Sequence, residues 1–324
     1  MASVAYFALG GTIAMTPAPG GGVVATLGGH ELVATAGELP VAVDVADPSG
    51  VPSASLTFSG LLSVVDQARA AVDLGAVGVV LSQGTDTLEE TAFLIDSVWD
   101  RDAPFVLTGA MRNPTQPGHD GPANLRAAVL TAASETARGQ GVLVAFADEL
   151  HTARHVRKTH TTSIATFASP ELGAIGSVVE DVVRLLAHVP PRTPVTGIDR
   201  GRLDALRVGL FTSVLDMTPA DLEVFAGHDG LVVAGFGAGH VPAGQVPLLA
   251  EFAGRMPIVL TSRAGSGRVL DRTYAAPGAE LDLLSRGLIG GGVVHPYKAR
   301  ILLRLLLAAG AAPTEIREAF AQLS

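Results

Sequence analysis

Residues 77–99 read VGVVLSQGTDTLEETAFLIDSVW, and this stretch decides the fold class. It opens with a continuous apolar run over 77–81, which is typical of a strand buried on both faces of a parallel sheet. A polar loop follows, and the apolar residues after it recur with a helical period, which predicts a helix over 88–99. Thr87 and Glu90 have the spacing of a capping box at the start of that helix. Strand, short loop and helix in this order indicate an α/β architecture.

The same alternation continues along the whole chain. Further apolar runs predict strands over residues 4–9, 105–108, 142–146, 208–212, 231–235 and 258–261. Further helix-period segments lie over residues 61–74, 122–137, 219–226, 246–253, 296–309 and 315–322.

One proline-containing stretch interrupts this pattern and has no strong apolar run. We predict a domain linker there, over residues 189–204. The expected fold is therefore α/β with two α/β domains. The larger N-terminal domain, 1–188, has a mostly parallel sheet flanked by helices, and the smaller C-terminal α/β domain covers 205–324.

Composition narrows the function classes. The chain of 324 residues has no cysteine, which excludes disulfides, thiolate zinc sites, Fe–S clusters and cysteine nucleophiles. A net charge of −9 argues against nucleic acid and anionic membranes as partners. The chain has no uninterrupted apolar run of about 18 residues, as a membrane span requires. The first cationic side chain is Arg69, so we predict no secretory signal and expect a soluble, cytoplasmic protein.

Polar residues that directly follow the predicted strands are candidates for the site, because parallel sheets bind ligands at the carboxyl ends of their strands. The first strand leads into Gly10-Gly11-Thr12. The glycines allow a sharp turn, and the threonine could serve as a nucleophile if a base takes its proton. The alternative is a turn with a capping threonine. The spacing of a dinucleotide-binding loop is absent.

Two later strands end in similar loops. Thr85 and Asp86 lie at a predicted helix start, where N–H donors favour developing negative charge and the carboxylate could hold a substrate ammonium group. The alternative is an ordinary N-terminal cap. Small residues at Gly109 and Ala110 permit close approach of a ligand, or form a tight turn.

Lys158 stands out in a chain that has two lysines and 20 arginines. A lysine can act as a proton acceptor where its surroundings disfavour the charged form, whereas arginine cannot. Asp86 would oppose that role, and a solvated basic loop is the alternative. His151 and His155 have a metal-ligand spacing on a helix, but their segment does not read as a helix and has no HExxH motif, so we predict no metal. Together, the threonines, the aspartate and the lysine indicate an acyl-transfer hydrolase with a hydroxyl nucleophile and a lysine base.

Signatures over nearly the whole chain resemble the bacterial-type L-asparaginases, a family that includes the glutaminase-asparaginases. The motifs that carry the resemblance are Gly10-Gly11-Thr12-Ile13-Ala14, Gly84-Thr85-Asp86-Thr87 with Glu89-Glu90-Thr91-Ala92, Gly109-Ala110-Met111-Arg112, Asp120-Gly121-Pro122 with Asn124, Lys158-Thr159 with Thr161-Thr162, Gly235-Phe236-Gly237 and Pro296-Tyr297-Lys298.

The resemblance implies a role for each catalytic candidate. Thr12 matches the family's usual nucleophile, which forms an acyl-enzyme. Thr85, Asp86 and Lys158 match a second triad, in which the lysine helps to deprotonate a threonine and the aspartate holds the substrate's α-amino group.

The resemblance also implies substrate-binding residues and an assembly. Ser53 matches a serine that contacts the substrate α-carboxylate, and the Ala110 carbonyl matches one that contacts the amide. Glu280 has the spacing of a glutamate that reaches the neighbouring subunit's site, and His240 stands where the family has a substrate-binding asparagine. The family is usually a tetramer of two intimate dimers, its C-terminal domain completes a neighbour's site, and it uses no cofactor or metal.

Three departures bear on the substrate. Residues 16–36 lack the loop tyrosine of the family, for which Tyr274 is a possible substitute, and Ala54 replaces a substrate-binding glutamine, as His240 replaces the asparagine. Each unmade buried hydrogen bond costs about 1–3 kcal/mol.

The leading prediction is release of ammonia from L-asparagine to give L-aspartate. The alternatives are the same chemistry on D-asparagine, an N-substituted asparagine or glutamine, a catalytically weak amino-acid-binding homologue, an ammonia-supplying partner of an amidotransferase, or a metallohydrolase.

Overall fold

A computed structural model describes residues 2–48, 50–188 and 193–323. The chain divides into two compact units, Met1–Pro194 and Val195–Ser324. Residues 189–192 of the predicted linker lie outside the described residues. The last residues of this predicted linker belong to a helix, Arg200–Ala205, at whose start the Asp199 side chain accepts a hydrogen bond from the Arg202 N–H.

The first unit is built on one large sheet. Its strands, with those of two small ribbons, are β1 (Ser3–Ala8), β2 (Met15–Pro17), β3 (Val23–Ala25), β4 (Ala42–Ala46), β5 (Ala76–Ser82), β6 (Phe105–Thr108), β7 (Val142–Phe146), β8 (Glu149–Thr152), β9 (Arg157–Lys158), β10 (Phe167–Ala168), β11 (Gly176–Val179) and β12 (Val182–Leu185). Eight of them form the sheet in the order β12-β11-β8-β7-β6-β5-β1-β4, while β2–β3 and β9–β10 are separate antiparallel pairs. In the sheet, the five neighbouring strands β4, β1, β5, β6 and β7 form a parallel block. The remaining strands β8, β11 and β12 pair antiparallel and form the other edge.

Helices cover the parallel block. They are α1 (Gly29–Thr35), α2 (Phe58–Asp73), α3 (Leu88–Asp96) and α4 (Gly121–Ala133). The block can be parallel because its strands are apolar on both faces: residues 79–81 and 105–107 are completely buried. The Thr57 hydroxyl caps α2 by accepting a hydrogen bond from the Gly60 N–H. The prediction of a mostly parallel sheet flanked by helices is confirmed for this unit.

Strand order creates a switch point between β1 and β5, close to the β4 edge of this sheet. The chain leaves β1 to form β4 on one side and then crosses to β5 on the other side. Ligands bind at the carboxyl ends of the strands beside this kind of switch point, where the loops after β1 and β5 lie. Those two loops contain Thr12 and Thr85.

The second unit is a smaller α/β layer. Its elements are α5 (Arg200–Ala205), β13 (Val208–Thr212), α6 (Ala220–Glu223), β14 (Gly230–Gly235), α7 (Val246–Ala253), β15 (Ile258–Ser262), α8 (Glu280–Ser285), β16 (Ile289–Gly290), α9 (Pro296–Ala308) and α10 (Pro313–Ala321). The four strands are parallel and lie in chain order, as expected for repeated strand–helix units. The predicted smaller α/β domain is therefore present. No helix among the described residues is long and apolar enough to cross a membrane.

Candidate active site

The loop after β1 lies directly against the loop after β5. Gly11 has a φ of +91°, and a Cβ atom added to it would lie 2.3 Å from the backbone nitrogen of Gly84. Only glycine fits this conformation and this close approach. Thr12 then opens a short 3₁₀ helix, Thr12–Ala14, and its side chain is half-buried. The turn therefore places Thr12 at the crevice beside the switch point.

Ser53 joins the same crevice from the chain between β4 and α2. It is buried, and a Cβ atom on Gly84 would lie 2.6 Å from its Oγ atom. The Thr87 hydroxyl donates to the Ser53 carbonyl at 2.9 Å and accepts a bond from the Gln83 side-chain amide at 3.3 Å. The predicted capping box is wrong, because the Thr87 side chain makes no cap hydrogen bond to the described residues of α3. The hydroxyl holds Ser53 instead.

Thr85, Asp86 and Lys158 form one hydrogen-bonded group. The Lys158 ammonium donates to Thr85 Oγ1 at 2.8 Å and to Asp86 Oδ1 at 2.9 Å. Thr85 is buried and the Lys158 side chain is 18% exposed, whereas the Asp86 side chain is 70% exposed. Asp86 therefore keeps a face toward solvent while Lys158 bridges it to the buried hydroxyl.

Lys158 comes from outside the main sheet. It lies on β9, which pairs only two residues with β10. Hydrogen bonds within the loop between these strands stabilise the ribbon, and both the N–H and the hydroxyl of Thr159 donate to the Thr166 carbonyl, at 2.7 and 2.9 Å. The Lys158 N–H donates to the carboxylate of Glu89 on α3 at 2.5 Å. In the sequence, Glu89 stands out only as part of a motif.

Two further motif residues hold the turn at Ala110. One carboxylate oxygen of Asp120 accepts bonds from the N–H groups of both Met111 and Arg112, at 3.1 and 2.9 Å. Asn124 donates to the Gly109 carbonyl at 3.0 Å. Ala110 itself is completely buried. The motif of Asp120 and Asn124 thus fixes the backbone of the predicted amide-contacting segment.

Two cavities meet at Asp86. The larger, of about 690 Å³, is lined by Thr12, Ser53, Thr85 and Asp86, with an apolar wall from the β2–β3 hairpin and from Val51 and Pro52. The smaller, of about 360 Å³, is lined by Asp86 and by residues 158–161. The structure therefore brings Thr12, Ser53, Thr85 and Asp86 together around one space and connects Lys158 to it through two hydrogen bonds.

His240 and Glu280 lie together in the second unit. His240 Nε2 is 3.1 Å from Glu280 Oε2, and the Tyr274 ring packs edge-on against the imidazole with centroids 5.0 Å apart. Glu280 is completely buried, and its other oxygen accepts bonds from the N–H groups of Thr273 and Tyr274. Burial opposes ionisation of Glu280, but these backbone N–H groups and His240 outweigh it and hold the pKa below its usual range.

The histidines considered as metal ligands have other partners. His151 lies on β8 with Nδ1 3.0 Å from the Ser169 hydroxyl, and burial lowers the pKa of its imidazole. His155 Nδ1 lies 2.9 Å from the Thr152 hydroxyl. Within residues 2–48, 50–188 and 193–323, no group of three or more acidic or histidine side chains is arranged to hold a metal ion.

Two threonine hydroxyls, a carboxylate and a lysine beside the switch point of the larger sheet are groups suited to acyl transfer. Residues 3–190 match the family model "Asparaginase, N-terminal", and residues 207–320 match "Glutaminase/Asparaginase C-terminal domain". The chain belongs to the asparaginase family, as its motifs predicted.

Named relatives agree with this assignment. The chain is 33% identical to the L-asparaginase of Bacillus licheniformis, over 94% of this chain and 95% of that protein. It is 36% identical to a probable periplasmic L-asparaginase of Haemophilus influenzae, over 75% and 69% of the two chains. The crystal structure of a probable cytoplasmic L-asparaginase from Campylobacter jejuni superimposes with a TM-score of 0.86 at 30% identity and covers 99% of both chains.

Proposed function

We propose that this protein hydrolyses the side-chain amide of L-asparagine to L-aspartate and ammonia through a threonyl ester. The observation that carries the proposal is the contact of 2.8 Å between Lys158 Nζ and Thr85 Oγ1 beside a cavity that Thr12 lines. A lysine bound to a buried hydroxyl is suited to move a proton during acyl transfer. The family assignment supplies the substrate class.

In this mechanism, Thr12 Oγ attacks the amide carbon and passes its proton to the Lys158 amine, which is the base of the site. The tetrahedral intermediate collapses as the C–N bond breaks, and the nitrogen leaves as ammonia after it gains a proton. Water then attacks the ester, which releases aspartate and restores the threonine hydroxyl. Lys158 and Thr85 transfer the protons in both halves, and backbone N–H groups of the crevice stabilise the oxyanion.

Substrate orientation follows from charge and exposure. The exposed face of Asp86 holds the α-ammonium group of the amino acid. Ser53, buried on the same cavity, donates to the α-carboxylate. The family resemblance assigns the amide N–H group to the Ala110 carbonyl. An amino acid held at three points presents its side-chain amide to Thr12 in a single orientation. Holding the reacting groups in the right orientation lowers the activation barrier.

The test is ammonia release by purified protein in EDTA, with L-asparagine, D-asparagine, L-glutamine and an N-substituted asparagine. Thr12→Ala and Lys158→Met should each lower kcat on the best substrate by roughly 10³-fold or more, because both remove a reacting group. Thr136→Ala, an exposed threonine in a 3₁₀ helix of the same unit, is the matched control and should match wild type. Full turnover by Thr12→Ala would overturn the assignment of the nucleophile, and loss of activity in EDTA would favour a metallohydrolase.

A second candidate substrate is favoured by the size and lining of the larger cavity. Its volume of about 690 Å³ is in the range that accepts drug-sized ligands, and a free amino-acid amide fills only part of it. Met15, Val23 and Val24 give its outer wall an apolar surface. An asparagine with an apolar group on its side-chain nitrogen would use that wall. A higher kcat/KM on the substituted amide than on L-asparagine would make it the preferred class.

We also propose that the active form is a homo-oligomer in which the C-terminal unit of one subunit completes the site of another. His240, 35% exposed and positioned by Glu280, is the residue of that unit best suited to contact a substrate. A cytoplasmic location stays a prediction, because relatives named for the periplasm and for the cytoplasm both match the chain.

A further inference from the structure

The ribbon that carries Lys158 is held by hydrogen bonds within its own loop, but among the described residues it does not pair with the main sheet. β9 consists of two residues, and its only strand partner in the described part of the chain is the two-residue β10. The ammonium must nevertheless stay within hydrogen-bond distance of Thr85, and a displacement of about 1 Å in a catalytic group can cost a hundredfold in rate. Bonds within the ribbon do not by themselves fix Lys158 relative to Thr85, so a contact between the ribbon and the segment of Thr85 is needed.

Glu89 is placed to do this. It lies four residues after Thr85, about one helical turn, so both residues belong to the segment that enters α3. Its side chain is buried, at 6% exposure, and its Oε2 atom accepts the Lys158 backbone N–H at 2.5 Å. A hydrogen bond to a carboxylate is about twice as strong as one between neutral groups.

We propose that Glu89 is a positioning residue for Lys158, an inference that rests on the proposed function. Segment 85–89 then holds the lysine at both ends: Thr85 and Asp86 bind its ammonium, and Glu89 binds its backbone. Because all three partners lie on one short segment, a movement of α3 carries the lysine and its hydroxyl partner together. Motions of the ribbon therefore do not change the distance between Lys158 Nζ and Thr85 Oγ1.

Three variants separate this role from a general contribution to stability. Glu89→Gln keeps an acceptor oxygen at the same reach and removes the charge. Glu89→Leu keeps the bulk and leaves the Lys158 N–H without its acceptor. Glu90→Gln is the matched control, since it removes a carboxylate from the same first turn of α3, where such charges stabilise a helix.

Activity gives the first readout. We expect Glu89→Leu to lower kcat by at least about tenfold with a smaller change in KM, because substrate binding does not involve Glu89. Glu89→Gln should retain kcat within about threefold and Glu90→Gln should match wild type. Unchanged kcat in a folded Glu89→Leu, or a loss in Glu89→Gln as large as in Glu89→Leu, would overturn the proposal.

The lysine content of the chain gives a second readout that does not depend on turnover. Lys158 and Lys298 are the only lysines, so protein labelled with ¹³C at lysine Cε shows two side-chain resonances, which Lys158→Met assigns. In Glu89→Leu the Lys158 resonance should move toward the position of a free lysine and sharpen, while in Glu89→Gln and Glu90→Gln it should stay. A Lys158 resonance that does not change in Glu89→Leu contradicts the positioning role.

The two proposals can fail separately. If wild-type protein releases ammonia from no amide of the panel, the proposed function fails while the lysine resonance still decides whether Glu89 positions Lys158. If Glu89→Leu does not fold, Glu89→Asp replaces it. Its carboxylate keeps the charge but is shorter by one methylene, so it should shift the resonance and lower kcat where Glu89→Gln does not. Wild-type behaviour of Glu89→Asp in both readouts would then overturn the inference.

Discussion

At the scale of single residues, the backbone conformation of Gly11 determines where Thr12 lies. An alanine there needs a φ of +91° and also places a Cβ atom 2.3 Å from the Gly84 nitrogen. We expect Gly11→Ala to lower the free energy of unfolding by at least about 3 kcal/mol and kcat by roughly a hundredfold, because relief of the clash displaces Thr12. Thermal unfolding and ammonia release measure the two effects.

Gly21→Ala is the matched control for this prediction. Gly21 has nearly the same φ, +90°, but no atom lies within 4 Å of its added Cβ. Its substitution should therefore cost only the left-handed strain, about 1–2 kcal/mol, and leave kcat unchanged. Equal melting temperatures for the two variants would show that the contact between the loops after β1 and β5 does not constrain the site.

Residues whose chemistry is unusual in its context can be predicted from the sequence, whereas residues that bind a distant backbone group cannot. Thr12, Thr85 and Asp86 stand out because reactive side chains follow apolar strands, and Lys158 stands out because lysine is rare in this chain. Their catalytic roles stay predictions. Glu89 carries no such signal, since a glutamate in the first turn of a helix is ordinary and its partner is an N–H group 69 positions away. The hydroxyl of a threonine before a helix has several possible acceptors, and tertiary contacts decided that Thr87 binds Ser53.

At the scale of elements, the start of α8 fastens the chain that precedes it. The carboxylate of Glu280, its first residue, accepts hydrogen bonds from the N–H groups of residues 273 and 274 and contacts the His240 ring. Because its pKa is lower in the folded than in the unfolded chain, ionised Glu280 stabilises the folded state above the ordinary glutamate pKa of about 4.3. That stabilisation is lost as the pH falls through the lower, folded-state pKa.

This sign gives a prediction for stability against pH. Glu280→Gln should lower the melting temperature at neutral pH and should flatten its decline between about pH 5 and pH 3, since the titrating group is gone. Glu251→Gln, which removes an exposed carboxylate on α7, should leave the wild-type curve unchanged in shape. Parallel curves for wild type and Glu280→Gln would contradict the assignment of this acid-sensitive contact.

Strands were predictable where the hydrophobic pattern is compatible with only one type of secondary structure. All seven predicted strands are present, because buried parallel strands are continuous apolar runs. The parallel strands β4 and β16, the β2–β3 hairpin, the ribbon β9–β10 and the antiparallel edge from β8 to β12 were missed. These strands are two to five residues long or carry polar side chains on an exposed face, so their pairing partners and not their own sequence determine them.

At the scale of the whole molecule, two α/β units follow from the repeated alternation of strand and helix, and the family match covers both. The strand order, and with it the switch point, is not readable from local pattern, because it depends on which side of β1 each later strand adds. Assembly lies still further from the sequence. The homo-oligomer is implied only by the resemblance to the family, and a measurement in solution must test it.

Subunit complementation tests whether sites are shared between chains. Thr12→Ala and His240→Ala remove one residue from each unit, and each variant alone should be nearly inactive if His240 serves a neighbour's site. When the two are unfolded, mixed and refolded together, half of the dimers contain one chain of each kind. In such a dimer one of the two sites regains both wild-type residues, because a two-fold axis exchanges the units symmetrically. The mixture should therefore recover about one quarter of wild-type kcat, with light scattering confirming the oligomer. If each chain instead supplies both residues to its own site, mixing restores nothing, and a fully active monomer would remove the shared site altogether.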